Sequence, residues 1–412
     1  MRLFYNAALS LYYLVALLIS PWNRKARLWI GGRRGWKKGL KNALGDGPVI
    51  WFHCASLGEF EQGRPLIEAA RERFPEYRIL LTFFSPSGYE KRRDYPGADY
   101  VMYLPLDSRR NAAFFLDKLR IEMAVFIKYE FWFYFLKGLQ KRKIPTYLAS
   151  GIFRSGQVFF KWYGSWYRSF LRCFTHIFVQ DEDSELLLAG IGLKSTSVVG
   201  DTRFDRVLKV AKTSYENPAL EAFAHGRQLI VAGSTWEPDE EILAPVFAGL
   251  PQDLLWIIAP HELSEAHIQR ICSRFSPAVR LSQLETDVPG DTRSLVVDSI
   301  GQLSYLYRFG QLAYIGGGFG RGIHNVIEAA VYGMPVIFGP NHERFREARE
   351  LLACGGGFAI SDTATLLSTI HQQLTNPHLL KTSSEAARIY VKNRAGASTL
   401  ILDEMCKNPG VV

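Results

Sequence analysis

The sequence is poor in cysteine. It has five cysteines in 412 residues, all far apart in the chain, and no two of them form a CxxC pair. Such usage provides neither a disulfide framework nor the paired thiolates of a structural zinc site. It favours reduced thiols in a cytoplasmic protein. No internal repeat or low-complexity tract is evident.

Acidic residues are absent from the first 45 positions, which hold nine Lys or Arg. Removing these nine from the total of 49 basic residues leaves 40, against 40 acidic residues in the whole chain. The net charge of +9 therefore belongs to one end of the chain, and the remainder is neutral. A neutral folded portion argues against a nucleic-acid-binding protein.

Long apolar runs are also missing, except at residues 3–19, LFYNAALSLYYLVALLI. Seventeen residues lie at the short end of the ~17–25 that a membrane-spanning helix needs, and an interfacial or buried helix stays open. Eight basic residues and no small-residue cleavage site follow the run, so a cleaved signal peptide is disfavoured. This charge bias predicts that the rest of the chain lies on the cytoplasmic side of a membrane, with the cations near anionic headgroups. Three interleaved tryptophans are expected at headgroup level, namely Trp22, Trp29 and Trp36.

From position 46 onward, short β-rich runs alternate with helical patterns, which indicates an α/β fold with doubly wound parallel sheets. The pattern restarts near position 227, after a polar, proline-bearing stretch at 211–226 that is typical of a linker. We therefore predict two Rossmann-like domains behind an N-terminal membrane-associated segment. The predicted divisions are a membrane anchor and basic segment at 1–45, a first domain at 46–212, a second domain at 213–385 and a helical tail at 386–412.

Glu59 stands at the mouth of a predicted strand-to-helix turn. The apolar run PVIWF at 48–52 predicts a buried strand, small residues follow it, and a helical pattern begins near Glu59. A carboxylate in a first turn is favoured by the helix dipole alone. The alternative is a base positioned at the carboxyl end of a parallel strand, where α/β proteins bind ligands.

The second half carries a glycine-dense stretch, YIGGGFGRGIHNVIEAAVYGMPVIFGP at 314–340. It predicts a strand, a loop that could approach a phosphate closely, and a helix from about His324, with Glu328 as an acceptor for ribose hydroxyls. It is neither a Walker A loop nor a GxGxxG motif. Turns at 233–237, 260–262 and 298–302 also follow apolar runs, the last with the Ser-x-x-Gln spacing of a capping box. All four turns are expected at one edge of one sheet, as in a nucleotide site.

Several stretches resemble the 3-deoxy-D-manno-octulosonic acid (Kdo) transferases of lipopolysaccharide core biosynthesis. They are ASLGE at 55–59, GSTWEPDEE at 233–241, DSIGQLSYLY at 298–307 and GGGFGRGIHNVIEAAVYGMPVIFGP at 316–340. The resemblance implies a GT-B fold, in which two Rossmann-like domains face a cleft. It implies CMP-Kdo as donor, the lipid A precursor lipid IVA as acceptor, inversion at the Kdo anomeric carbon, and no cofactor or metal in the chemical step.

The resemblance also assigns residues. Glu59 matches the general base, and the positions that match CMP contacts are Pro260, His261, Ile300, Gly301, Gln302, Asn325, Val326, Ile327 and Glu328. Further donor or acceptor contacts are expected at Ser234, Thr235, Arg203 and Glu130.

The chain departs from the family pattern at three places. Pro260-His261 stands where the family usually has Pro-Arg, Trp236 stands where its Ser-Thr-His-Glu has His, and Lys128-Tyr129-Glu130 stands where it has Glu-Thr-Glu. Two other functions stay open. One is a membrane-associated GT-B glycosyltransferase that uses a different nucleotide sugar, and the other is a non-catalytic, membrane-tethered nucleotide-binding protein.

Overall fold

The computed structural model describes residues 1–43, 45, 47–286 and 290–407. The chain divides into two compact units. The first unit holds Met1–Arg206 and takes up the chain again from Gly396, and the second is Val207–Ala395. The sequence instead predicts a boundary at 212/213 and a helical tail from 386.

The first unit is built on one parallel seven-stranded sheet in the order β3-β2-β1-β4-β5-β6-β7. Its central strands are buried on both faces, as expected of a parallel sheet covered by helices. The strands are β1 (Val49–Cys54), β2 (Arg78–Phe83), β3 (Tyr100–Tyr103), β4 (Ile121–Ile127), β5 (Thr146–Gly151), β6 (His176–Val179) and β7 (Thr196–Val198).

Helices cover this sheet, and helix α10 (Arg203–Lys212) contains the division between the units. Those of the first unit are α1 (Arg2–Ile19), α2 (Arg24–Gly31), α3 (Trp36–Ala43), α4 (Leu57–Arg73), α5 (Pro86–Arg92), α6 (Arg109–Lys118), α7 (Phe133–Lys141), α8 (Ser165–Leu171), α9 (Glu182–Gly190) and, after the return of the chain, α19 (Ala397–Cys406).

The second unit contains another parallel seven-stranded sheet, in the order β10-β11-β9-β8-β12-β13-β14. Two of its strands, both at edges of the sheet, are absent from the apolar runs of the sequence. The strands are β8 (Leu229–Thr235), β9 (Leu255–Pro260), β10 (Ala278–Arg280), β11 (Ser294–Val296), β12 (Leu312–Ile315), β13 (Val336–Phe338) and β14 (Gly357–Ala359). The two unforeseen strands are β10 and β14.

The helices of the second unit include one inside the predicted linker. Helix α11 buries Leu220 and Phe223, so the stretch 211–226 contains a packed element. The helices are α11 (Pro218–Ala224), α12 (Glu237–Gly249), α13 (Glu265–Arg274), α14 (Leu303–Leu306), α15 (Ile327–Ala330), α16 (Arg346–Cys354), α17 (Thr363–Thr375) and α18 (Pro377–Arg394).

Each sheet has a topological switch point between two neighbouring strands. On one side of it the strands follow one another outward in one direction, and on the other side in the opposite direction. It lies between β1 and β4 in the first sheet and between β8 and β12 in the second. All strands are parallel, so their carboxyl ends share one edge, called here the carboxyl edge. The expectation that the four turns after β8, β9, β11 and β12 lie along one edge of one sheet is confirmed.

Helix α1 is long and apolar enough to cross a membrane, which is weak support by itself for a span. Both of its ends contact the first unit. Near its start, the Tyr5 hydroxyl donates to Asp107 Oδ2 at 2.5 Å. In its middle Tyr12 packs edge-on against Trp29 with ring centroids 5.2 Å apart, and near its end Ala16 packs with Trp29 and Ile30. Most of its remaining large apolar side chains are exposed. The helix thus lies along the surface of its unit.

Two predictions for the basic segment are wrong. Trp29, expected among headgroups, is only 4% exposed and packs in a small core with Ile30 and Phe84. Arg33 is buried as well, and its guanidinium donates to the carbonyls of Trp29, Phe84 and Leu104. Burial lowers the pKa of Arg33 to about 9. These two side chains tie the basic segment to the first unit, whereas Trp22 is 86% exposed.

Candidate active site

Glu59 lies in the first turn of α4, immediately after β1. Ser56 is the N-cap of this helix, accepting from the Gly58 N–H at 3.3 Å. Its hydroxyl also donates to Glu59 Oε2. The half-buried carboxylate is therefore held at the carboxyl edge of the first sheet, beside its switch point. Both roles considered for it fit this place, because the amino-terminal end of a helix favours an anion.

A second carboxylate, Glu130, follows β4 on the other side of the same switch point. Its Oε2 accepts from Trp132 Nε1 at 2.7 Å and lies 3.0 Å from His53 Nε2. The other ring nitrogen of the buried His53 lies 2.8 Å from Thr82 Oγ1, which accepts from Trp51 Nε1 at 2.8 Å. This buried network fixes Glu130 at the carboxyl edge. The resemblance had named Glu130 as a donor or acceptor contact, but no sequence pattern indicated the network that holds it.

The charges of Glu59 and Glu130 both affect the side chain of Cys54. Cys54, the last residue of β1, is fully buried. Burial raises the pKa of the Cys54 thiol well above its ordinary value, and the charges of Glu59 and Glu130 raise it further. Negative potential is therefore concentrated where β1 and β4 end.

Residues with a strained backbone conformation lie at the carboxyl edges of both sheets. Lys128 (φ 64°) follows β4, Ser150 (φ 57°) lies near the end of β5, and Ser234 (φ 55°) lies near the end of β8. Non-glycine residues rarely adopt this left-handed conformation, and where they do they concentrate at functional sites. Ser234 lies at a register shift in the pairing of β8 with β9. A Cβ on Gly316 would lie 2.3 Å from the Ser234 carbonyl oxygen, so the glycine loop is packed directly on β8.

In the second unit, Asp239 joins α12 to the glycine-dense loop across the switch point. It is 1% exposed. Its carboxylate accepts from the N–H groups of Trp236 at 2.9 Å and Gly317 at 2.8 Å, and from the Tyr314 hydroxyl at 2.8 Å. Burial, and then the Asp239 charge, raises the pKa of Tyr314. Asp239 thus sets the position of the loop that follows β12.

The prediction of a helix from about His324 is wrong. The chain forms α15, a single turn of four residues beginning at Ile327. Two of the N–H groups before it are used within the protein, because Gly322 donates to Gly317 at 3.0 Å and His324 to Gly316 at 3.1 Å. The Ile327 N–H donates to Asn325 Oδ1 at 3.3 Å. A Gly-rich loop before the turn and the Met-Pro pair after it leave no room for a longer helix.

The predicted donor contacts of this segment divide into two kinds. Asn325 and Glu328 are half-buried, and Asn325 Nδ2 donates to Glu328 Oε1 at 2.8 Å. The side chains of Val326 and Ile327 are buried, so any ligand contact of theirs would be through the backbone.

The 298–302 turn presents an apolar side chain to solvent, since Ile300 is 86% exposed. Gly301 has a φ of +90°, and Gln302 Oε1 accepts from the Tyr215 hydroxyl at 3.0 Å. The predicted capping box is wrong, because Gln302 is itself the N-cap of α14 and makes no side-chain capping bond.

At the ends of β8 and β9, Pro260 is buried and His261 is exposed. Thr235 is fully buried, and its hydroxyl donates to Glu240 Oε1 at 3.1 Å, pointing into the unit. Ser234 is half-buried.

Three rings from three separate segments lie in a stack at this edge. Trp236 and His261 have ring centroids 4.5 Å apart, His261 and His324 also 4.5 Å, each pair with planes 23° apart. Trp236 Nε1 donates to His324 Nε2 at 2.9 Å. We call these three residues the ring stack. No motif indicated it, because its members are 25 to 88 positions apart.

Arg203, predicted as a contact, begins α10 and is paired with a carboxylate. Its guanidinium lies 2.6 Å from Asp201 Oδ2, and its N–H donates to Asp201 Oδ1 at 2.9 Å. Much of its charge is thus matched locally. Within the described ranges, no group of three or more His, Cys, Asp or Glu is arranged to hold a metal ion.

Several known proteins that are similar to this chain in sequence are Kdo transferases. A family model described as 3-deoxy-D-manno-octulosonic-acid transferase (Kdo transferase) matches residues 30–206. The 3-deoxy-D-manno-octulosonic acid transferase of Bordetella pertussis is 27% identical over 375 residues, which cover 86% of each chain. That of Aquifex aeolicus (strain VF5) is 26% identical over 364 residues, covering 86% of this chain and 93% of its own. The chain is thus similar to Kdo transferases over most of its length. It is a glycosyltransferase.

Solved structures agree on the fold. UDP-GlcNAc 2-epimerase from Neisseria meningitidis, bound to UDP-GlcNAc, is 16% identical and superposes with a TM-score of 0.63 over 88% of this chain and all of its own. That likeness concerns the fold alone. The GT-B class expected from the sequence is confirmed.

Proposed function

We propose that this Kdo transferase takes Kdo from CMP-Kdo and transfers it to lipid IVA, with inversion at the Kdo anomeric carbon and Glu59 as general base. The observation that most supports the proposal is the position of Glu59. It lies at the switch point of the first sheet, where α/β folds bind ligands, and Ser56 orients its carboxylate.

The proposed step is a single displacement. A sugar hydroxyl of the acceptor attacks the anomeric carbon of Kdo, a new C–O bond forms, and the bond to the CMP phosphate oxygen breaks. CMP leaves with the electron pair, and Glu59 takes the hydroxyl proton. General base assistance of this kind contributes a factor of about 10²–10⁴ in rate. The chemical step is proposed to need no metal or other cofactor.

The donor is proposed to bind along the carboxyl edge of the second sheet. The residues available there differ in chemistry. Asn325 and Glu328 offer polar groups for ribose hydroxyls, Ile300 offers an exposed apolar surface for the base, and His261 is exposed at the end of β9. Such a mixture of one apolar surface with a few placed polar groups is typical of small-molecule sites.

Replacing Glu59 by Gln tests the proposed base. We expect kcat to fall by about 10²–10⁴ while CMP affinity changes little, because the amide cannot accept the proton. Glu61→Gln is the matched control, since Glu61 lies on the same helix and pairs with Arg92 at 2.8 Å. Its activity should stay close to that of the parent.

The variant Glu130→Gln tests whether Glu130, and not Glu59, is the general base. If Glu130→Gln lowers kcat more than Glu59→Gln does, the base is Glu130, held by His53 and Trp132. Activity of Glu59→Gln within tenfold of the parent, in a folded protein, would remove Glu59 from this role. The substrates are tested separately, by mass analysis of lipid IVA after incubation with CMP-Kdo, which also counts the sugars added.

We also propose that α1 holds the enzyme on the cytoplasmic leaflet of the inner membrane by lying in the interface. A helix that contacts its own unit near both ends leaves one apolar face outward, as interfacial helices do. Leu14 and Leu18 are 50% and 60% exposed on that face. The nearby cations of the first 45 residues would add attraction to anionic lipid, at about 1 kcal/mol for each one near the surface.

Flotation with vesicles containing anionic phospholipid tests this placement. The double variant Leu14→Asp/Leu18→Asp should remain largely unbound, whereas Leu186→Asp, at a leucine that is 69% exposed on α9, should float like the parent. Unchanged flotation of the double variant would refute the interfacial role of α1. Protease protection of the first residues of the chain in sealed vesicles would show a spanning helix instead.

A further inference from the structure

A cavity of about 330 Å³ lies between helices α1 and α2 and the turn that follows β2. Small-molecule sites typically have volumes of about 300–1,000 Å³ and a predominantly apolar lining. Helix α1 supplies four of the lining residues, Tyr12, Val15, Ala16 and Ile19, and Trp29 and Phe84 are among the others. None of the residues proposed as base or as donor contact lines this cavity.

The lining residues of α1 form one face of the helix. They occupy positions i, i+3, i+4 and i+7, which lie on one side of an α-helix. Val15 and Ile19 are 45% and 44% exposed, so the unit leaves much of this apolar surface uncovered. Covering it with an apolar ligand is favourable in proportion to the area removed from water.

Aromatic rings form another wall of the cavity. The ring centroids of Trp29 and Phe84 are 5.6 Å apart, and that of Tyr12 lies 5.2 Å from the first and 6.2 Å from the second. The Arg33 guanidinium donates to the carbonyls of Trp29 and Phe84 at 3.0 and 2.8 Å. These contacts hold the wall in place, as expected of a ligand site that is largely preformed.

The turn after β2 joins this wall to the proposed base. The N–H groups of Phe84 and Ser85 both donate to the Ala55 carbonyl, at 3.1 and 2.7 Å. Ala55 begins the turn that leads to Glu59. The Phe84 ring also packs against Trp132, with ring centroids 4.7 Å apart, and Trp132 holds the second carboxylate of this edge. The cavity therefore borders the same turns as the two carboxylates.

We propose that this cavity binds one acyl chain of the glycolipid acceptor and so places the sugar end of that lipid at the carboxyl edge beside Glu59. The inference rests on the proposed function. An acyl chain suits the site because its methylenes need no hydrogen-bond partners, and because α1, the helix proposed to lie in the membrane interface, forms one wall. Lys25 adds a positive charge to the lining, which favours the phosphate groups of such a lipid.

Val15→Trp tests the site by filling part of the cavity. Each methylene kept from apolar burial costs about fourfold in affinity, so displacing about two of them should raise the KM for lipid IVA by about tenfold or more. The kcat should stay nearly unchanged, because the chain is held equally before and during the reaction. Ile19→Trp is a second variant with the same expectation.

Leu11→Trp is the matched control. Leu11 is 61% exposed on the same helix and does not line the cavity, so its KM should stay within about twofold of the parent, the size of an ordinary surface substitution. The full-length proteins are assayed in vesicles of phosphatidylcholine and phosphatidylglycerol. Both substitutions keep α1 apolar, and both variants should float with these vesicles like the parent.

Photolabelling locates the chain without turnover. Lipid IVA with a diazirine near the end of one acyl chain is irradiated with the full-length protein in the same vesicles, and labelled residues are identified by mass spectrometry. We expect label at Phe84 and its neighbours, lost in Val15→Trp and retained in Leu11→Trp. A phosphatidylglycerol that carries the same diazirine should not label this turn.

The outcomes separate the lipid site from the proposed reaction. Equal KM values for Val15→Trp and Leu11→Trp would overturn the site, and so would a raised KM that is accompanied by weaker flotation. Equal labelling of the turn by phosphatidylglycerol would assign the cavity to a bilayer lipid and overturn the acceptor as its occupant. Absence of Kdo transfer by the parent, with the turn still labelled by lipid IVA as expected, would refute the reaction and leave the lipid site standing.

Discussion

Asp239 offers the sharpest test of how the second unit holds its loop. Asp239→Asn keeps the size of the side chain and removes its charge. The carboxylate accepts three hydrogen bonds of 2.8 to 2.9 Å from Trp236, Tyr314 and Gly317, all in a site that is 1% exposed. Bonds to a charged group contribute about 1.5–3 kcal/mol each and neutral ones about 0.5–1.5, so the loss is about 1 kcal/mol per bond. We expect a total cost of about 3 kcal/mol.

Hydrogen exchange measured by mass spectrometry is the suitable assay, because two units need not unfold together. The opening free energy of peptides covering β12 and the loop to Gly317 should fall by about 3 kcal/mol. Peptides of the first sheet should be unaffected. Glu241→Gln, on the exposed side of the same helix, is the matched control and should change opening by less than about 0.5 kcal/mol.

A double-mutant cycle shows how much of the lost stability comes from the hydrogen bond between Asp239 and Tyr314. Tyr314→Phe should cost less in the Asp239→Asn background than in the parent, because the charge-assisted bond has already been lost. A cost for Asp239→Asn below about 0.5 kcal/mol would refute the reasoning, since surface substitutions reach that size. So would a coupling of zero between the two positions.

Two further substitutions test packing. Gly316→Ala would place a Cβ 2.3 Å from the Ser234 carbonyl oxygen, so we expect about 1–3 kcal/mol of destabilisation and weaker nucleotide binding. Gly320→Ala, whose nearest neighbour would be 3.7 Å away, is the control, and equal melting temperatures for the two variants would contradict the close approach. Arg33→Met removes three buried bonds to carbonyls and should cost about 2–4 kcal/mol, whereas the exposed Arg34→Met should cost little. A thermal melt of both variants in detergent measures the difference, and equal melts would mean that Arg33 is not a structural cation.

The strands that lie inside each sheet were predictable because their apolar runs are local. Five or six consecutive apolar residues between turn residues can be satisfied only by burial on both faces of a sheet. That pattern located β1, β4, β8 and β12, and with them the turns at the carboxyl edges. The short edge strands β10 and β14 were not predicted, because most of their residues are not fully buried and they form no run of large apolar residues.

Glu59 could be located from the sequence because its surroundings are also local. Ser56, the N-cap, and the carboxylate that its hydroxyl contacts are three positions apart on one helix. Glu130 also has Trp132 two positions away, but its other partner, His53, is 77 positions away. A contact across strands depends on which strands become neighbours, and no local pattern contains that information.

The sequence by itself determined the alternation of strands and helices, the concentration of positive charge at one end and the resemblance to Kdo transferases. The tertiary structure decided what those side chains do. It buried Trp29 and Arg33 that composition would place at a membrane surface, turned Thr235 inward, and brought Trp236, His261 and His324 into one stack. The physical reason is that burial and hydrogen-bond partners are set by the packing of segments distant in sequence, whereas the choice of helix or strand follows largely from neighbours along the chain.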